Sequence, residues 1–119
     1  MSWVAIDRGL RLAQNRSFPA PIDAWIRARD GIYGDIFGNF WDEKVGAFVQ
    51  HLGTKAVDAS SLLMPLFKFI SPTDPRWRSH LNAVERELDS DSIVYRYSVD
   101  SAAPDGLSGD EGTFSICTF

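Results

Sequence analysis

An arginine between two tyrosines, at Tyr95-Arg96-Tyr97, is the strongest candidate for ligand chemistry in this sequence. The guanidinium of Arg96 is a rigid fork of donors that can bind several hydroxyl groups of one ligand. Tyr97 adds an aromatic ring with a polar tip. The alternative is a surface ion pair between Arg96 and a nearby aspartate, Asp91 or Asp100.

Two carboxylates, Asp110 and Glu111, precede the apolar segment that ends the chain. Glu111 could bind a ligand hydroxyl or hold Arg96 in place. The alternative is structural, because negative charge and an Asp cap favour the start of a helix. Phe114 follows within that segment, where a phenylalanine is more often part of the core.

Asp58 and Trp41 are further candidates that also have a structural interpretation. Asp58 stands at the start of an apolar stretch, where it could cap a helix or line a pocket. Trp41 could stack on a flat ligand or anchor a loop. His51 and His80 lack the spacing of paired metal ligands, so we expect neither to bind a metal.

Four stretches have apolar residues three or four positions apart and predict helices over residues 3–13, 22–37, 57–69 and 75–88. Asp7, Arg8 and Arg11 are expected on the polar side of the first helix. Pro65 should kink the third helix, and Asp74 followed by Pro75 should start the fourth. The final segment has room for about two helical turns, too few for a stable isolated helix. These elements predict an all-α fold of antiparallel helical hairpins with a little extended structure.

The composition of this 119-residue chain argues against several classes of protein. Its net charge is −4 and its basic residues are dispersed, so we expect no nucleic-acid partner. No apolar run approaches the roughly 18 residues of a membrane span. The start of the chain lacks the features of an export signal. Its single cysteine cannot form an internal disulfide. We expect one soluble, cytoplasmic domain at most, with no cofactor.

Seven segments, taken in order, resemble the catalytic domain of glycoside hydrolase family 15, the glucoamylase and bacterial trehalase family. They are Trp3–Arg8 with Leu10–Ala13, Trp25–Ile32, Gly46–Gln50, Val57–Leu63, Pro72–Arg76, Val94–Tyr97 and Gly109–Phe114. The ordered set is more specific than any one segment, and it covers nearly the whole chain.

The resemblance implies an (α/α)6 barrel, of which residues 1–119 would form a partial segment, incomplete at both ends. It also implies inverting hydrolysis of α-glucosidic bonds by two glutamates, one protonating the leaving oxygen and one activating a water. The matching glutamates lie outside this chain, so we assign no catalytic residue here and expect no activity from the chain alone.

The resemblance further implies sugar-binding roles for six residues. Arg96 matches the family arginine that binds the glucose ring in the innermost subsite, and Phe114 matches an aromatic position near the leaving sugar. The other four expected substrate-binding residues are Glu111, Tyr97, Asp58 and Trp41. The expected partner is an α-glucoside or oligosaccharide. The alternatives are a non-catalytic helical interaction or sugar-binding module, self-associating through exposed helix faces, and a remnant of a truncated gene.

Overall fold

A computed structural model describes residues 1–90 and 93–96 of the chain. The chain divides into two compact units, Met1–Gly38 and a second unit that begins at Asn39. Over the described residues the secondary structure is mainly helical, with short two-residue strands. The all-α expectation is therefore confirmed.

The first unit begins with helix α1, Ser2–Arg16, which buries Leu10 and Ala13 as its apolar spacing predicts. The helix ends at Ser17 in the left-handed conformation (φ 53°), with the cap N–H bonded to the carbonyl of Ala13. Asp7 was expected on the polar side, and this was wrong, because its side chain is almost fully buried. The Arg11 guanidinium bonds its carboxylate at 2.8 Å, as a buried charge requires.

Helix α2, Ile22–Asn39, follows a five-residue connection. Its partly buried positions are largely those of the predicted apolar stripe, and none of its residues is fully buried. Tyr33 and Phe37, one turn apart, pack with ring centroids 4.5 Å apart. The ring of Trp25 lies so close to Gly9 of α1 that an added Cβ would be 3.3 Å from it.

The second unit opens with an antiparallel hairpin of strands β1, Trp41–Asp42, and β2, Ala47–Phe48. The Asp42 side chain closes its turn by accepting hydrogen bonds from two backbone N–H groups, at 2.7 and 3.0 Å. These bonds hold the pKa of Asp42 below its usual value. Gly46 adopts φ +70°, a conformation that disfavours any residue with a Cβ.

The helix predicted over residues 57–69 is absent, and a short 3-10 helix, Ala59–Leu63, takes its place. Pro65 has no N–H to donate to the carbonyl four residues earlier, so a regular α-helix would lose that hydrogen bond here. The hydroxyl of Ser61 donates to the carbonyl of Asp58 and so competes with regular helical bonding. Lys68, at φ 61°, then turns the chain.

Helix α3, Pro75–Leu88, begins where the sequence predicts. The Asp74 side chain accepts from the N–H of Arg76 at 2.8 Å, and Pro75 occupies the first turn. The helix buries five residues: Trp77, His80, Ala83, Val84 and Leu88. Residues 85–87, near the end of the helix, are exposed to solvent.

The apolar core of the second unit forms between α3, the hairpin and the segment around the 3-10 helix. Its buried members are Ala47, Val57, Ala59, Ala83, Val84 and Leu88. Strands β3, Asp89–Ser90, and β4, Ile93–Val94, then pair in antiparallel register. No helix in residues 1–90 or 93–96 is both long and apolar enough to cross a membrane.

Candidate functional site

Arg96 and Asp58 are brought together by a backbone contact. The N–H of Ala59, next to Asp58, donates to the carbonyl of Arg96 at 2.7 Å. Arg96 is exposed, and Asp58 is partly buried. Two candidates that lie far apart in the sequence therefore belong to neighbouring segments of the fold.

The carboxylate of Asp58 caps the 3-10 helix. Its Oδ1 accepts from the N–H of Ser60 at 2.8 Å. The capping interpretation of this residue is confirmed, although the helix is of the 3-10 type. One bond leaves further acceptor capacity on the carboxylate, so capping and ligand binding are chemically compatible.

Trp41 lies on β1 directly opposite Phe48 of β2. The two rings meet edge to face, with centroids 5.1 Å apart, and Trp41 is only partly buried. The contact matches the interpretation of Trp41 as a loop anchor. Its partial exposure keeps it a candidate for contact with a ligand.

A buried histidine that the sequence did not indicate as a site residue contacts several partners. His80 is fully buried on α3, with its ring near those of Phe48 and Trp77 at 5.5 and 5.6 Å between centroids. Its Nδ1 accepts from the N–H of Phe48 at 3.2 Å, and its Nε2 lies 2.6 Å from Oγ of Ser61. Its spacing from Trp77 and Val84 on the apolar face of α3 could have indicated burial, but not these partners.

Burial lowers the pKa of His80 to about 4, because a charged imidazolium is poorly solvated in the core. The side chain is therefore neutral near pH 7. A backbone N–H can only donate, so Nδ1 is the acceptor and the ring proton resides on Nε2. No group of three potential metal ligands occurs in residues 1–90 and 93–96.

An open cleft of about 340 Å³ lies elsewhere on the second unit. Its lining is Lys44, Val45, Lys55, Ala56, Arg86 and Glu87. Arg96, Asp58 and Trp41, the three predicted substrate-binding residues that the structure describes, are not part of this lining. Tyr97, Glu111 and Phe114, the other three, lie outside the described residues, as does the predicted final helix.

Comparison with known proteins decides the family. The sequence model of the glycosyl hydrolases family 15 matches residues 1–119. The chain belongs to this family. Family 15 enzymes are built on an (α/α)6 barrel, which a mainly helical segment fits, and they act on glycosides.

The relatives of this family 15 chain include three proteins named trehalase. One from Mycobacterium tuberculosis is 44% identical over 119 residues, which is 100% of this chain and 17% of the relative. One from Mycolicibacterium smegmatis is 40% identical over 119 residues, covering 18% of the relative. One from Thermoplasma acidophilum is 38% identical over 120 residues, covering 20% of the relative. The chain thus spans about a fifth of the length of these proteins. No solved structure matches it significantly.

Proposed function

We propose that this chain is a segment of an inverting α-glucosidase of the trehalase type. The observation that carries the proposal is the family 15 match over all 119 residues. Relatives named trehalase support α,α-trehalose as the substrate, ahead of maltose-like or starch-derived α-glucosides. Glucoamylase-type activity on maltose-like or starch-derived α-glucosides is the less favoured form of this proposal.

In this proposal the chain contributes sugar-binding groups and the two catalytic glutamates come from flanking sequence. One glutamic acid protonates the glycosidic oxygen as the bond to the anomeric carbon breaks. The other, as carboxylate, removes a proton from the water that attacks the opposite face of that carbon. Inverting enzymes hold the two groups about 6.5–9.5 Å apart to admit this water.

The bond between Ala59 and Arg96 supports a shared sugar-binding site for these two segments. Arg96 would donate from its guanidinium to sugar hydroxyls, and Asp58 would accept from a hydroxyl through the capacity left by capping. Trp41, which is partly buried, would stack its ring on the sugar. Tyr97, Glu111 and Phe114 complete the set that the family resemblance implies.

The test compares the 119-residue chain with the protein that carries it and its flanking sequence. Glucose release from trehalose and from maltose is measured for both. We expect activity only in the longer protein. Activity in the chain alone would contradict the assignment of both glutamates to the flanks.

The stereochemistry of the product tests the inverting mechanism directly. Trehalose joins two α-glucose units, so inversion at the attacked carbon releases one β-glucose and one α-glucose. Proton NMR in the first minutes should therefore show equal amounts of the two anomers. Two α-glucose molecules per trehalose would indicate retention and overturn the mechanism.

Helix α2 supports an interaction module as the second candidate function. It carries an apolar stripe whose residues are at most partly buried in the described structure, and contiguous exposed apolar surface can mark an interaction site. Analytical ultracentrifugation of the chain tests this candidate. Self-association without sugar hydrolysis by the longer protein would favour it. The cytoplasmic location stays a prediction, which cell fractionation can check.

A further inference from the structure

Ser61 and His80 form a directed series of hydrogen bonds between the hairpin and the segment that carries Asp58. The Phe48 N–H donates to Nδ1 of His80, 32 positions away in the sequence. The Nε2–H of the neutral ring then donates to Oγ of Ser61. The Ser61 hydroxyl uses its only proton to donate to the carbonyl of Asp58. Every donor in this series has an acceptor.

The segment held by this series of hydrogen bonds also contacts Arg96. The N–H of Ala59, the residue after Asp58, bonds the Arg96 carbonyl at 2.7 Å. Ala59 is fully buried, so a shift of this backbone would leave a buried donor without its acceptor. The Ser61 N–H donates to the same Asp58 carbonyl at 3.0 Å, so the hydroxyl is a second tie between these residues. His80 in turn bonds the Ser61 hydroxyl.

We propose that His80 and Ser61 are positioning residues for the sugar site. They do not touch the sugar. They hold the 58–61 backbone so that the Asp58 carboxylate and the Arg96 segment keep their mutual placement. The inference rests on the proposed function, in which Asp58 and Arg96 bind the substrate. Misplacement of binding groups by about 1 Å can cost a large factor in rate.

The central test is Ser61→Ala in the protein that carries this chain with its flanking sequence. The readouts are kcat and KM for trehalose, measured separately. We expect KM to rise about tenfold while kcat changes less than about threefold. A purely structural role predicts the reverse, because loss of folded enzyme lowers apparent kcat and leaves KM unchanged.

Two matched variants serve as controls for Ser61→Ala. Ser61→Thr keeps a hydroxyl and should restore KM to within about threefold of the wild type. Ser71→Ala removes another hydrogen-bonded serine hydroxyl of the same unit, one that bonds Thr73 instead, and should leave KM unchanged. An unchanged KM in Ser61→Ala, or an equal rise in Ser71→Ala, overturns the inference.

Variants of His80 test the hydrogen bond between His80 and Ser61 from the histidine side. They remain informative if Ser61→Ala does not fold. In His80→Gln the amide nitrogen can reach Ser61, as Nε2 does. In His80→Asn the shorter side chain can accept from Phe48 but does not reach Ser61. We expect the larger rise in KM for His80→Asn, and equal KM values in the two variants contradict the proposal.

A double variant separates this inference from the proposed function. If Ser61 acts through the Arg96 segment, adding Ser61→Ala to Arg96→Ala should raise KM by much less than tenfold. Full additivity would overturn the positioning role. A wild-type protein inactive on both trehalose and maltose would instead remove the proposed function, and this inference with it.

Discussion

The carbonyl of Arg96 accepts a hydrogen bond from the N–H of Ala59 at 2.7 Å. This bond uses the backbone carbonyl of Arg96, and the residue is exposed to solvent. Asp58, immediately before Ala59, uses one carboxylate oxygen to cap the 3-10 helix. The arrangement anchors two segments through their backbones, and the Asp58 carboxylate keeps further acceptor capacity.

Replacing Arg96 should severely reduce glucose release by the protein that carries this chain. Arg96→Ala removes charged donors to the sugar, each worth about 1.5–3 kcal/mol, so kcat/KM for trehalose should fall about 100-fold. Arg96→Lys keeps the charge but loses the planar fork and should recover only part of the loss. Arg86→Ala, at an exposed position on α3, is the control. Normal activity in Arg96→Ala would remove this residue from the site.

Asp58→Asn should separate the structural role of this residue from its role in binding. The amide oxygen of Asn can still accept from the Ser60 N–H, and Asn caps helices about as well as Asp. The urea midpoint of unfolding should therefore change little. Kinetic assay should show a several-fold lower kcat/KM, because the carboxylate is gone. An unchanged kcat/KM would limit Asp58 to capping.

Gly46→Ala should destabilise the second unit more than the corresponding change at Gly53. Both glycines have positive φ, at +70° and +82°, so each alanine pays for a strained backbone, about 1–2 kcal/mol. A Cβ at Gly46 would also lie 2.8 Å from Oγ of Ser79. A Cβ at Gly53 would have no atom of residues 1–90 or 93–96 within 4 Å. Urea unfolding of both variants checks the difference. Equal losses would show that Ser79 moves aside without cost.

Stability should fall as the pH drops from about 6.5 to 4, because of His80. Unfolded, the imidazole binds a proton with a pKa near 6.5, whereas burial lowers its folded pKa to about 4. The unfolded state therefore binds more protons in this window, and the free energy of unfolding decreases as pH falls. The total change for this group is roughly 3 kcal/mol.

His80→Gln provides the control for that pH dependence. Glutamine does not titrate, so the loss between pH 6.5 and 4 should largely disappear in this variant. Asp42 and Asp74 have pKa values lowered from 3.8, so their stabilisation is lost only at still lower pH. Chemical denaturation at several pH values gives the free energy of unfolding of the wild type and of His80→Gln. An identical slope with and without His80 would contradict the neutral buried state.

Local sequence signals predicted the helices well where the responsible interactions lie within a few residues. Asp74 and Pro75 start α3 through a cap and a fixed φ, both of which involve only the first turn. The apolar spacing of α2 likewise indicated which of its positions are partly buried. The capping role of Asp58 was also recognisable from its position before an apolar stretch.

The errors arose where competing contacts decide the outcome. The stretch over residues 57–69 has helical spacing, but Pro65 and the bond from Ser61 to the Asp58 carbonyl limit it to one 3-10 segment. Asp7 has the polarity of a surface residue and is nevertheless buried beside Arg11. Periodicity alone cannot anticipate either result, because it does not include side-chain hydrogen bonds.

The sequence by itself determined the family, the helical class and the choice of Arg96 and Asp58 as candidates, because these depend on residue types and their order. Only the tertiary structure decided that Ala59 bonds Arg96 and that His80 links Phe48 to Ser61. These partners lie 19 or more positions apart in the sequence. Such contacts form when α3, the hairpin and the 3-10 segment bury their apolar residues in one core, and no local pattern encodes them.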